Sequence, residues 1–186
     1  MKFNSIWLVA AACAAVLAAE PPKSTAGSVA AVLSVTEGQF LAAAEAMPEN
    51  LYSFAPPGAG FQGVRTFAEQ VKHVACGNFA FFNGIEGKTP PEHCEKGGPA
   101  KAATKVELVR YLRDSFDYGN KVLAAMTDSG ALAVTAEGPY WGGGTKLTVA
   151  VAAVWHMADH YGQLVPYLRM NNIVPPPTKQ YPLAVR

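Results

Sequence analysis

Trp155-His156-Met157-Ala158-Asp159-His160-Tyr161-Gly162-Gln163-Leu164, continuing into Val165-Pro166-Tyr167-Leu168-Arg169, is the stretch from which the rest of the chain can be read. His156 and His160 stand four residues apart. On a helix they stack on one face about one turn apart and can aim both imidazoles at one point. The 186 residues contain only four histidines, so a close pair does not follow from abundance. The obvious comparison is the His-Glu-x-x-His of zinc proteases, whose Glu serves as general base. Met157 fills that position here, so the protease reading fails. What survives is a two-point metal clamp that needs a third ligand from elsewhere in the chain.

Working outward, the chain divides into four helical blocks. In the first, Val29, Val32, Leu33, Thr36, Phe40, Ala43, Ala44 and Met47 recur at the spacing of one helix face. Pro48 and the Pro56-Pro57-Gly58 turn end it. The second runs from about 63 to 83, with Phe67, Val71, Val74, Phe81 and Phe82 as core candidates. A Gly/Pro/Lys-rich loop from 84 to 103 carries His93 and Cys94. The third runs from about 105 to 127 on a stripe of Leu108, Leu112, Phe116, Val122, Leu123 and Met126, and Asp128-Ser129-Gly130 stops it. The segment up to Gly144, including Tyr140-Trp141, fits either a short helix or an extended piece. The fourth helix begins at Thr145, a good N-cap, and runs to about 172. Pro166 should bend it, and Asn171-Asn172 with Pro175-Pro176-Pro177 should end it. No internal repeat and no convincing run of alternating strands is present. The pattern predicts an all-α fold, a four-helix bundle with a long connection between helices 2 and 3.

Hydrophobic residues make up 50% of the chain and the formal net charge is +1, which suits a soluble globular protein of one domain. No Lys/Arg block or interleaved aromatic stripe points to nucleic acid. Residues 1–19 differ in kind. Lys2 is a minimal positive region, Ile6 to Leu17 is an apolar run, and small residues near Ala18 and Ala19 suit cleavage. The run is too short to span a membrane, and Cys13 lies too early in it for a lipoprotein signal. Residues 1–19 therefore read as a signal peptide and 20–186 as the mature domain. The expected location is periplasmic or secreted, without stable membrane association after cleavage. Cys76 and Cys94 then form an even pair in an oxidising compartment. A disulfide between them would close a loop of about twenty residues and stabilise by roughly 3 kcal/mol in the chain-entropy model. The alternatives are Cys76 as a metal ligand, three residues after His73, or two inert buried thiols.

The third ligand is sought among the remaining histidines. His93 sits in a loop, where a solvated surface histidine is the commoner case. His73 lies mid-helix, with Thr66, Gly77 and Ala80 as small neighbours on its face; Val149, Ala152 and Ala153 lie below the His156/His160 pair, and Gln163 and Tyr167 above it. Small side chains beside imidazoles on two helices should leave a cavity. The bland alternative makes all three histidines core or surface residues hydrogen-bonded to carbonyls.

Three segments together resemble a known family. Ala46-Met47-Pro48-Glu49-Asn50-Leu51-Tyr52-Ser53-Phe54 resembles its helix-one exit. Arg65-Thr66-Phe67 through His73-Val74-Ala75 resembles its second-helix motif. His156 to Arg169, with Ile173-Val174-Pro175-Pro176, resembles its His-x-x-x-His-x-Gly-Gln-Leu ending. The family is the DinB-like superfamily of metal-binding four-helix bundles, which includes bacillithiol- and mycothiol-dependent transferases. The resemblance implies His73, His156 and His160 as a facial triad on one divalent metal ion, and a homodimer. An exported form with a Cys pair is typical of only some branches.

Three neutral imidazoles leave at least one open position, as in catalytic zinc sites. Such a metal lowers the pKa of bound water or polarises a substrate oxygen, and deprotonates a bound thiol. All-nitrogen ligation suits zinc or nickel. Glu69, one turn before His73, and Asp159 and Gln163 beside the pair are candidates to orient the ligands from behind. Two classes of function follow. One is a metal-dependent hydrolase or transferase acting on a small molecule or thiol. The other is a non-catalytic helical bundle that binds a metal or small ligand.

Overall fold

Each helix begins where a side-chain oxygen satisfies the first free N–H groups. In the computed structural model, which describes residues 20–135 and 143–176, helix α1 spans Thr25–Ala46 and is capped by Ser24, whose side chain accepts from the Gly27 N–H. Met47, held extended ahead of Pro48, ends it, because a residue before proline is crowded out of the helical region. Helix α2 spans Phe67–Glu86 behind a capping box formed by Thr66 and Glu69, and Gly87 closes it at φ +73°. Its start falls after the expected 63, since Gly58 and Gly63 adopt positive φ in the intervening turn. Helix α3, Lys105–Ala125, has a second capping box in Thr104 and Glu107.

The sequence reading also differs after the middle of the chain. Helix α3 ends at Ala125, and Asp128-Ser129-Gly130, expected to be a plain stop, forms a one-turn helix α4, Asp128–Ala131. Thr127 caps that turn, and the Asp128 carboxylate accepts from the Thr25 backbone and hydroxyl. Helix α5, Lys146–Met170, starts at its expected cap Thr145 and contains Pro166. The expected signal segment 1–19, Tyr140-Trp141 and Pro177 lie outside the described residues.

The described residues are all-helical, with an isolated Val134–Thr145 bridge and no strand. Helix α2 packs on α3 and α5, and α1 packs on the same two. Residues 87–104 join α2 to α3. Helix α1 is long and apolar enough to cross a membrane, yet its Leu33–Phe40 face is buried in the common core with Phe67, Phe82, Phe116, Met157 and Leu164. Lys105 ties two helices together, its ammonium donating to the Glu45 and Met47 carbonyls at the end of α1.

Gly119 sets the α2–α3 spacing. A Cβ built there would stand 2.3 Å from the ring of Phe82, which is fully buried and has no room to retreat. Gly119→Ala should therefore lose about 1–3 kcal/mol to overpacking, against the gain of about 1 kcal/mol expected for Ala over Gly in an open helix. Urea unfolding checks this, and a stabilised variant would contradict the packing argument.

Candidate metal centre

Helix periodicity brings the site residues together. On α2, Gln70, His73 and Gly77 follow one another along one face; on α5, His156, His160 and Gln163 do the same. The two faces pack together, and one nitrogen from each of His73, His156 and His160 lies within 4.8 Å of the others. The ring centroids are 4.5–5.1 Å apart and steeply tilted. Nε2 of His156 stands 3.2 Å from Nε2 of His73. Two nitrogens bound about 2.0–2.1 Å from one tetrahedral ion stand roughly 3.3 Å apart, so this spacing suits a shared metal.

The opposite ring edges decide which nitrogens are bare. His73 Nδ1 lies 2.6 Å from the Cys94 carbonyl oxygen. A carbonyl only accepts, so Nδ1 carries the proton and Nε2 presents its lone pair. His160 Nδ1 donates in the same way to Gln70 Oε1 at 2.8 Å. The Gln70 amide then donates to Gln163 Oε1, and the Gln163 amide to Asp159 Oδ2, each at 2.8 Å. These proton positions follow from the hydrogen-bond network. His156 is different: its Nδ1 is buried without a hydrogen-bond partner. That ring is held by packing, since it lies against Gly77, where a Cβ would stand 2.9 Å from Cε1.

Several expectations are redrawn at this level. The space beside Gly77, expected as open cavity, is filled by the His156 ring. Ala80 packs against Cys76 and Cys94. The Glu69 carboxylate, expected behind His73, is engaged at the start of α2 by the Thr66 N–H and hydroxyl. Asp159 and Gln163 connect to His160 through Gln70. Gln70 is the residue the sequence reading passed over, although its position one turn before His73 placed it on the ligand face. His93 is exposed in the loop and lies near Glu95. The sulfurs of Cys76 and Cys94 are bonded, so Cys76 is not a metal ligand.

Burial lowers the pKa of all three rings. His156 falls to about 3, through burial first and then the neighbouring His160 and His73. His160 falls to about 4, through burial, His73 and Arg65. His73 is lowered chiefly by burial. Near neutral pH all three are uncharged, the form that binds metal.

A family model described as the DinB superfamily matches residues 33–164, well over half of the chain and inclusive of all three histidines. The chain belongs to the DinB superfamily. No curated protein matches it. The superfamily membership and the three-histidine cluster are both compatible with metal binding in this DinB-superfamily chain.

Two outcomes follow from the packing and the charges. Gly77→Ala should push the His156 ring off its position and weaken divalent-metal binding at least tenfold, with little change in helix content; calorimetric titration reads the first and circular dichroism the second. In metal-free protein, unfolded histidines take up protons near pH 6.5, whereas the folded rings of His156 and His160 stay neutral down to about 3 and 4. The unfolded state thus holds more protons in that window, and stability should decline as pH falls from about 6.5 towards 4. Urea midpoints across the window check this, and an equal slope in a variant lacking His156 and His160 would contradict it.

Proposed function

We propose that this chain is a divalent-metal-dependent enzyme, a hydrolase or transferase that acts on a small molecule at His73, His156 and His160. The observation that carries the reading is the pair of bare, convergent Nε2 atoms of His73 and His160, each oriented from behind by Cys94 O or Gln70 Oε1. A structural site would be closed by a fourth protein ligand, and among the described residues the ligand group numbers three. Zinc or nickel suits three imidazoles. When bound, such an ion supplies a polarised substrate oxygen, an activated water or a bound thiolate.

The chain's own residues supply the rest. Gln70 and Gln163 hold His160 in one tautomer and also line an adjoining groove of about 480 Å³, whose other walls include Phe61, Val64, Arg65 and Tyr167. That volume is within the range of small-molecule sites. Arg65, which donates to the Glu95 carbonyl, and Glu95 itself place one charge of each sign on the groove wall. The four long helices read as the superfamily's four-helix bundle, with residues 87–104 as its long connection. Export to the periplasm or beyond through a signal peptide at 1–19 accords with a bonded cysteine pair. A homodimer is the assembly we infer, with no nucleic-acid partner.

One observation favours a second reading, a bundle that binds a metal or small ligand without catalysis. Asp159 is the carboxylate linked to the site, and it reaches His160 only through two amides. No general base therefore touches the imidazoles through this network.

The test is elemental analysis of protein purified without a histidine tag, with a survey of ester hydrolysis and thiol transfer. About one divalent ion per chain is expected, and activity that chelator removes and metal restores. His156→Ala should lose the ion while still melting cooperatively, because His156 Nδ1 gains no hydrogen bond from being buried. Metal without any metal-dependent turnover would favour the binding module. Metal retained in the His156→Ala variant would remove the site altogether.

A further inference from the structure

The cysteine pair and the metal ligands meet at one residue. Cys76 follows His73 by one turn of α2, and its sulfur is bonded to Cys94, both residues being fully buried. The backbone carbonyl of that same Cys94 accepts the His73 Nδ1–H at 2.6 Å. The cystine thus pins to α2 the oxygen that decides which His73 nitrogen is bare. The local chain is shaped for this contact. Cys94 opens a short 3-10 turn, Cys94–Lys96, between His93 at φ +57° and Gly97 and Gly98 at φ +88° and +75°. A Cβ at Gly98 would stand 2.3 Å from the Cys76 sulfur, and one at Gly97 would stand 2.7 Å from Lys72 Cγ. Only glycine lets the turn lie this close to the helix while keeping positive φ.

We infer that the Cys76–Cys94 disulfide is a positioning element of the metal centre: it holds the Cys94 carbonyl on His73 Nδ1, and opening it weakens metal binding. The inference rests on the metal reading above. The turn belongs to the 87–104 connection, and its other side-chain tie to α2's N-terminal end is the Arg65 hydrogen bond to the Glu95 carbonyl at 3.0 Å. With the cystine opened, the carbonyl's position depends on that bond and on packing. A chain segment that swings by an ångström forfeits a hydrogen bond of this length. Once freed, His73 samples both tautomers, and the Nε2–H form cannot bind through Nε2. Losing such an outer partner costs about 10–100-fold in metal affinity. A disulfide that merely stapled the loop would raise the melting temperature and leave the His73 tautomer and the affinity alone.

The experiment separates these roles with two readouts. First, nitrogen-15 NMR of metal-free protein reports the His73 tautomer, assigned against His73→Gln. Oxidised protein should show the Nδ1–H form alone. The Nε2–H form should grow in on reduction with a phosphine, which together with one water opens the cystine to two thiols and itself becomes the phosphine oxide, and likewise in the Cys76→Ala/Cys94→Ala double variant. Second, zinc titration against a competing chelator should show the double variant binding about 10–100-fold more weakly than the oxidised parent. Circular dichroism checks that each form is folded, and the reduced parent serves if the double variant is not. An unchanged tautomer on reduction, or equal zinc affinity in the folded double variant, would overturn the inference. An oxidised parent that binds no zinc at all would instead remove the metal reading, and the tautomer measurement would still decide what the disulfide holds.

Discussion

Three uncharged imidazoles packed between α2 and α5, His160 buried and His73 and His156 half-buried, set the terms for everything around them. Each buried ring nitrogen that lacks a partner costs about 1–3 kcal/mol, so the fold must bring a carbonyl or amide to each ring edge or leave that cost standing. It meets the need for His73 with the Cys94 carbonyl and for His160 with Gln70, and leaves His156 Nδ1 without a partner. The path of the 87–104 connection is thus tied to the site, since its 3-10 turn delivers the oxygen that His73 requires. The amide chain from Gln70 through Gln163 to Asp159 extends the same requirement outward until it reaches a carboxylate on the outer face of α5.

The helices come close enough to do this only where side chains are absent. Gly77 admits the His156 ring and Gly119 admits Phe82. Glycine within a helix costs about 1 kcal/mol relative to alanine, and here that cost is offset by ring packing that a methyl group would block. The same economy of backbone appears at the helix ends. Two capping boxes start α2 and α3, and Lys105 at the head of α3 satisfies carbonyls at the tail of α1. The glutamate that completes the first box is Glu69, whose Oε2 accepts from both the Thr66 N–H and hydroxyl.

Burial also makes the site chemically ready. Desolvation lowers His156 to about 3 and His160 to about 4, so at neutral pH no proton has to leave before a cation can bind. The neighbouring groove holds Arg65, and its positive charge acts in the same direction on all three rings. Neutral, oriented nitrogens beside a groove that carries both Arg65 and Glu95 describe a centre compatible with a metal and a polarisable small molecule.

Much of this was legible from local pattern. The period-3.6 stripes located the four long helices, Thr145 marked the start of α5, Pro48 marked the end of α1, and the i, i+4 spacing of His156 and His160 put both rings on one face. Such signals are carried by neighbours in the chain, so the sequence contains them outright. The Asp128 turn was misread because its stability comes from a partner 103 residues away, the N-terminal Thr25. Gln70 was overlooked for a similar reason: its meaning lies in contacts with residues about 90 positions distant on α5. Sequence alone determined the helices, their polar and apolar faces, and the residue types able to hold a metal. Only the tertiary structure decided which nitrogen of His73 and of His160 is bare, what fills the space at Gly77, and that the Cys94 backbone serves His73. Those choices are made by groups that meet across helices, and no local periodicity records them.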